Sequence, residues 1–142
     1  MPTLHKTITV DAPVEKVFQY MAEPKHLPEI WPSLYEVKEV VTLPKGGHKF
    51  AWFYNMAGKR VEGTTETSEW YPNERFIDKT KGDIEATFAW KFFPENGYTK
   101  IELEAEYMPP TFFPKEELPF VMRRNEFEAD LILENLKARF ES

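Results

Sequence analysis

Residues 46–97 read GGHKFAWFYNMAGKRVEGTTETSEWYPNERFIDKTKGDIEATFAWKFFPENG. Five turn signals divide this stretch at nearly regular intervals, namely Gly46-Gly47, Ala57-Gly58, Pro72-Asn73, Gly82-Asp83 and Asn96-Gly97. Glycine and asparagine tolerate the positive φ of tight hairpins, and proline presets the first φ of a turn. The segments beside these turns are rich in Val, Ile, Thr and aromatic residues, so the pattern predicts six strands in one antiparallel meander.

The six strands are predicted at residues 34–43, 48–56, 60–70, 75–81, 84–93 and 99–107. The last of them alternates most clearly, because glutamates occupy one face while Ile101, Leu103 and Tyr107 occupy the other. In the third, small residues such as Gly63 and Thr65 lie opposite a charged face, so small residues point inward and leave room for a cavity. The second and fifth carry aromatic residues on both faces, and their pattern leaves the inward face open.

Helical patterns flank the meander on both sides. A first strand is predicted at 7–10, followed by an amphipathic helix at 13–22 and a short helix or turn that begins at Pro24. A final helix is predicted at 118–140, with an apolar stripe interrupted by Asn125. At 1.5 Å per residue this helix is roughly 30 Å long, enough to cross a small domain.

Composition bounds the class of protein. The 142 residues suit a single domain over 1–142, and the net charge of −6 argues against nucleic acid as a partner. The chain has no cysteine, which excludes disulfides and thiolate chemistry and is typical of a cytoplasmic protein. The first residues show no apolar signal segment, and no apolar run reaches the length of an integral membrane segment.

No cofactor or metal is expected from the motifs. The three histidines, at 5, 26 and 48, lack metal-ligand spacing. The chain contains neither G-x-G-x-x-G nor G-x-S-x-G, which argues against a dinucleotide fold and a serine hydrolase.

Several segments resemble the START/Bet v 1-like (SRPBCC) superfamily, in particular its polyketide cyclase/dehydrase or CoxG-like branch. The segment at 8–18, ITVDAPVEKVF, looks like that family's opening strand and helix, and the segment at 23–32, EPKHLPEIWP, looks like its second helix. The corner at 69–76, EWYPNERF, and the entry to the last strand at 97–101, GYTKI, are also similar to the family pattern.

The resemblance implies an α+β helix-grip fold. Such a fold has a seven-stranded curved antiparallel sheet, two short helices and a long C-terminal helix that together enclose a cavity. Family members bind lipids, sterols, polyketides, quinones or plant hormones there. The mouth is expected near the short helices, the hairpin loops and the loop before the last helix.

Candidate site residues follow from these positions. His26, near the expected mouth, is a candidate base or else a surface histidine. Asp78 is a general acid or base if it points inward, and otherwise a solvated strand residue. Asn125 suits a ligand carbonyl or hydroxyl or else a neighbouring backbone group, and Arg123 an anionic head group. At least one of Arg123 and Arg124 is expected on the solvated face beside Glu126 or Glu128.

The complete candidate set for the cavity or its mouth is His26, Trp31, Trp52, Tyr54, Thr65, Asp78, Phe88, Trp90, Leu103, Tyr107, Phe112, Met122, Arg123, Asn125 and Ala129.

Three functions remain open, and binding of a small hydrophobic or aromatic ligand is favoured over catalysis. An aromatase/cyclase-like enzyme would use Asn125, Tyr54, Asp78 and Arg123. A protein-interaction or co-chaperone-like module would dock a protein partner through an exposed Phe112-Phe113 segment. The oligomeric state and the ligand's identity are not specified by the sequence.

Overall fold

Left-handed backbone occurs at all five predicted turns. Gly46 has φ of 103°, Gly58 of 84°, Asn73 of 64°, Gly82 of 123° and Gly97 of 87°. Glycine reaches this region without steric cost and asparagine at a small cost, so each hairpin closes where the sequence provides one of these two residues. The structure, a computed structural model, describes residues 2–141.

The strands are β1 (Thr3–Val10), β2 (Leu34–Thr42), β3 (His48–Met56), β4 (Lys59–Tyr71), β5 (Arg75–Gly82), β6 (Glu85–Glu95) and β7 (Tyr98–Met108). The helices are α1 (Val14–Ala22), α2 (Leu27–Ile30) and α3 (Leu118–Phe140), with single 3₁₀ turns at Pro24–His26 and Lys115–Glu117.

The seven strands form one antiparallel sheet in the order β1-β7-β6-β5-β4-β3-β2. The meander of β2 to β7 follows the chain, and β1 returns to pair with β7 at the far edge. This pairing extends β1 back to Thr3, four residues before the predicted start. With α3 packed across the sheet, the α+β helix-grip fold predicted from the sequence is confirmed.

The inward faces of the two ambiguous strands are now defined. On β3 the face that carries Phe50, Trp52 and Met56 is buried, and on β6 the inward face includes Trp90 and Phe92. On β7 the alternation is as predicted, because Ile101 and Leu103 are buried on the inward face and the glutamates lie on the outward face.

Side chains fill one end of the space between the sheet and the helices. Phe18 of α1 contacts the rings of Trp70, Phe76 and Phe92 edge-on, with centroids 5.1, 5.8 and 5.2 Å away. This edge-to-face packing fills the end of the space that lies beneath α1. The first helix begins after Pro13, which occupies the N-cap position and provides no side-chain cap.

Candidate functional site

A cavity of about 120 Å³ lies between the concave face of the sheet and α3. Strands β3 to β7 form its floor, α3 forms its roof, and Met21, Leu27 and Trp31 close one side. Its apolar lining, apart from Trp and Tyr side chains, consists of Leu4, Met21, Leu27, Leu34, Phe50, Met56, Phe76, Ile84, Phe88, Leu103, Ala129 and Ile132.

Glu128 brings a carboxylate into this apolar space. It lies on the inward face of α3 and is only 9% exposed. The indole Nε1 of Trp31 donates to Glu128 Oε1 at 2.8 Å, and the Tyr54 hydroxyl donates to the same oxygen. The Ser33 hydroxyl donates to Oε2. Three donors from the α2–β2 connection and β3 therefore surround one buried carboxylate, as buried charges require.

The Tyr54 hydroxyl is held in its protonated form. Burial, followed by the neighbouring charge of Glu128, raises the pKa of Tyr54 well above its ordinary value. Its ring also packs edge-on against Trp31, with centroids 6.4 Å apart. Tyr54 is therefore a fixed hydrogen-bond donor at neutral pH.

Asp78 is a second carboxyl group in the cavity wall, on the floor formed by β5. It is partly buried, and Thr67 Oγ1 donates to its Oδ1 at 2.8 Å. Burial raises the pKa of Asp78 to about 6, and the Thr67 hydrogen bond opposes that rise only in part. An acid that titrates near neutral pH can exchange a proton with a bound molecule.

Neutral polar groups complete the walls. Thr65 and Thr80 share a buried hydrogen bond of 2.7 Å between their hydroxyl oxygens. Asn125 Nδ2 donates to Met56 Sδ at 3.9 Å, a weak acceptor. Burial raises the pKa of Tyr107, so its hydroxyl also stays protonated.

The structure places most of the predicted residues around one cavity. The predicted residues that line it are Trp31, Trp52, Tyr54, Thr65, Asp78, Phe88, Trp90, Leu103, Tyr107, Asn125 and Ala129. Their role in ligand binding remains a prediction.

Four predicted residues, His26, Phe112, Met122 and Arg123, are not in the lining. The His26 ring stacks on Tyr20 at 4.3 Å, and its Nδ1 lies 2.8 Å from the Tyr20 carbonyl oxygen. Arg123 is exposed because its position on α3 faces away from the sheet, and Met122 lies beside it.

Phe112 and Phe113 do not form the exposed pair that was expected. Phe112 is 45% exposed, whereas Phe113 is 6% exposed and packs into the apolar cluster that includes Val121. The proline-rich connection therefore directs one ring inward and one ring outward.

Glu128 was not among the predicted site residues: either Glu126 or Glu128 was expected on the solvated face of the last helix beside Arg123 or Arg124, and Glu128 is buried instead. The available signal was its spacing, three residues after Asn125 and four before Ile132, which places it on the inward stripe. A charged residue on such a stripe is rarely solvated, because the stripe faces the core.

A separate acidic cluster lies on the outer face of β1 and β7. Ligand atoms of His5, Glu102 and Glu104 lie within 4.8 Å of one another. Lys91 Nζ lies 3.8 Å from Glu102 and 3.3 Å from Glu104, so a protein cation already offsets part of the charge of this cluster. Within the described chain, residues 2–141, no helix is long and apolar enough to cross a membrane.

Solved structures with the same fold span the whole chain. A START superfamily protein from Mycobacterium smegmatis aligns with a TM-score of 0.81 and 14% identity, over 97% of this chain and 96% of its own. The Zhui aromatase/cyclase from Streptomyces sp. R1128 aligns with a TM-score of 0.76 and 15% identity, over 99% and 96%. The protein TTHA0849 from Thermus thermophilus gives 0.74 and 23%, over 98% and 97%.

At these identities the likeness establishes the fold alone. No curated protein matches the sequence significantly. The family match is specific, however: residues 1–141 match the family described as polyketide cyclase / dehydrase and lipid transport. A match over nearly the full chain, together with the helix-grip fold, confirms the family predicted from the sequence motifs, and the chain belongs to the polyketide cyclase/dehydrase and lipid transport family.

Proposed function

We propose that this protein binds a small hydrophobic or aromatic ligand, of lipid, polyketide or quinone type, in the cavity between the sheet and α3. The observation that carries the proposal is an apolar cavity with a few convergent polar groups, the arrangement typical of small-molecule sites. Among these polar groups, Glu128 is a carboxylate that accepts hydrogen bonds from Trp31, Ser33 and Tyr54.

The size of the cavity limits the ligand. A dry engineered cavity of roughly 150 Å³ binds benzene. The 120 Å³ available here therefore accommodates a molecule on the scale of one ring, or one ring of a longer ligand.

Filling the cavity tests the proposal. Ala129 lines the roof and is 3% exposed, so Ala129→Leu adds three carbons into the ligand space. We expect saturable binding of fluorobenzene to the wild type by ¹⁹F NMR, and a loss of affinity of about tenfold or more in Ala129→Leu, equivalent to about 1.4 kcal/mol.

Ala138→Leu is the matched control, because Ala138 is exposed on the same helix. Its affinity for fluorobenzene should equal that of the wild type. Equal weakening in both variants, or no saturable binding to the wild type, would contradict a ligand site in this cavity. Independently of these variants, native mass spectrometry of the purified protein would identify any natural ligand that it retains.

A cyclase-like enzyme is the second candidate, favoured by the acid-base groups in the same cavity. Asp78 has a pKa of about 6, which suits a base that removes a proton next to a carbonyl group. The Asn125 amide in the same lining is a donor of the kind that stabilises a developing enolate, since its bond to Met56 Sδ at 3.9 Å is weak.

A simple diketone tests this alternative. If the protein is a cyclase, 2,6-heptanedione should undergo intramolecular aldol condensation with loss of one water, faster than in buffer. Asp78→Asn should lower the excess rate by about tenfold or more, since general-base catalysis is commonly worth at least that. Mass spectrometry of the product measures the rate, and a rate equal to that of buffer contradicts catalysis of this kind.

A further inference from the structure

The cavity wall holds one buried hydrogen-bond donor without a protein partner. Trp52 lines the cavity and is 6% exposed. Its indole Nε1 has no hydrogen-bond partner among residues 2–141. An indole N–H can only donate, and a buried donor without an acceptor destabilises the protein until an acceptor is supplied.

The Trp52 ring is positioned by the sheet beneath it. Trp52 pairs with Gly63 across β3 and β4, and a Cβ on Gly63 would lie 2.6 Å from Trp52 Cζ2. The glycine therefore lets the indole approach the backbone of β4 closely. The ring is already buried in this position, so little of it needs to be ordered when a ligand binds.

Other groups around the cavity also have hydrogens to donate. The Thr65–Thr80 hydrogen bond uses only one of two hydroxyl protons, so the other is free for a ligand. The Asn125 amide donates to Met56 Sδ at 3.9 Å, which is a weak acceptor. These groups and Trp52 together favour a ligand that presents an oxygen acceptor.

The charge of the lining excludes one large class of ligands. Among the residues that line the cavity, none is Lys, Arg or His, whereas Glu128 and Asp78 both carry carboxyl groups. Like charges repel strongly where water is absent. An anionic head group would therefore find repulsion and no counter-ion.

We propose that the ligand is a compact neutral carbonyl compound whose oxygen accepts a hydrogen bond from Trp52 Nε1, and that the cavity rejects carboxylates of the same shape. This inference rests on the proposed function, because it assumes that the cavity is a ligand site. It adds the polarity of the ligand and the residue that recognises it.

Three matched probes test the inference by ¹⁹F NMR at pH 7.5. They are 4-fluoroacetophenone, which carries the carbonyl, 1-ethyl-4-fluorobenzene, which lacks it, and 4-fluorobenzoate, which is anionic. We expect Trp52→Phe to weaken the binding of the ketone about fivefold more than the binding of the ethyl compound. A difference of this size corresponds to one hydrogen bond to a buried donor. Benzoate should not bind the wild type.

Trp70→Phe is the control variant, because Trp70 lies outside the cavity lining. It should change the affinities of the ketone and the ethyl compound by the same factor. In the wild type, the indole proton of Trp52 should also shift downfield on addition of the ketone and not of the ethyl compound. This measurement stands even if Trp52→Phe fails to fold.

Each possible result has a distinct meaning. The inference is overturned, while the ligand site stands, if Trp52→Phe weakens binding of both neutral probes equally or if the indole proton does not shift. It is also overturned if 4-fluorobenzoate binds as tightly as the ketone. Absence of binding by both neutral probes overturns the inference and the proposed function together.

Discussion

Glu128→Leu should lower the free energy of unfolding by about 3 kcal/mol, because it removes an acceptor and leaves three donors behind. Trp31, Ser33 and Tyr54 all donate to this one carboxylate. These donors are half-buried, so each one left without a partner costs about 1 kcal/mol, the low end of the range for buried donors. Removing a buried charge offsets part of that cost, but the donors that surrounded it remain. Urea unfolding at pH 7 measures the change.

Two further variants separate this explanation from a general sensitivity of α3. Glu128→Gln keeps one oxygen for Trp31 and Tyr54 and can donate to Ser33, so it should lose only about 1 kcal/mol. Glu134→Leu removes an exposed carboxylate from the same helix and should stay within about 0.5 kcal/mol of the wild type. A Glu128→Leu variant as stable as Glu134→Leu would show that the three hydrogen bonds to Glu128 contribute nothing to stability.

The architecture follows from local signals in the sequence. Positive φ at Gly46, Gly58, Asn73 and Gly97 is a local requirement that few residue types meet, so the hairpins can be located without knowledge of the fold. β3 and α3 have the predicted boundaries, His48–Met56 and Leu118–Phe140. Strand ends elsewhere differ by a few residues, because pairing partners, and not propensity, decide where a ladder stops.

The site could be predicted only in part. Alternation on β4 and β7 places Thr65, Leu103 and Tyr107 on the inward face, and the structure puts all three in the cavity lining. His26 and Phe112 are not in the cavity lining, because the direction of a side chain in a loop or short helix depends on its neighbours. Tyr20 takes up the His26 ring, and the fold of the proline-rich connection turns Phe113, not Phe112, inward.

Glu128 and its hydrogen-bond donors show a second limit of prediction from sequence. Trp31, Ser33, Tyr54 and Glu128 come from three elements, and up to 97 positions separate two of them along the chain. No local pattern links these residues, since the strand order and the crossing of α3 bring them together. Periodicity alone can identify Glu128 as inward, but its partners appear only in three dimensions.

Asp78 should make the stability of the protein depend on pH. Its pKa in the folded protein is about 6, against an ordinary value of 3.8. The folded state is therefore favoured while Asp78 is protonated, and it loses that advantage as the pH rises from about 4 through 6, where the unfolded chain ionises first. A shift of this size corresponds to about 2–3 kcal/mol, using about 1.4 kcal/mol per unit and discounting for partial solvent contact.

We expect Asp78→Asn to raise the free energy of unfolding by about 2–3 kcal/mol at pH 8 and to change it little at pH 4, because an amide occupies the same space without a charge to desolvate. Urea unfolding at pH 4, 6 and 8 measures the difference. Asp11→Asn, which removes an exposed carboxylate before α1, is the matched control. The desolvation of the Asp78 carboxylate would be contradicted if Asp11→Asn gained as much stability, with the same pH dependence. It would also be contradicted if Asp78→Asn gained the same stability at every pH. A molecule that fills the cavity and buries Asp78 further would enlarge the effect, since desolvation is its cause.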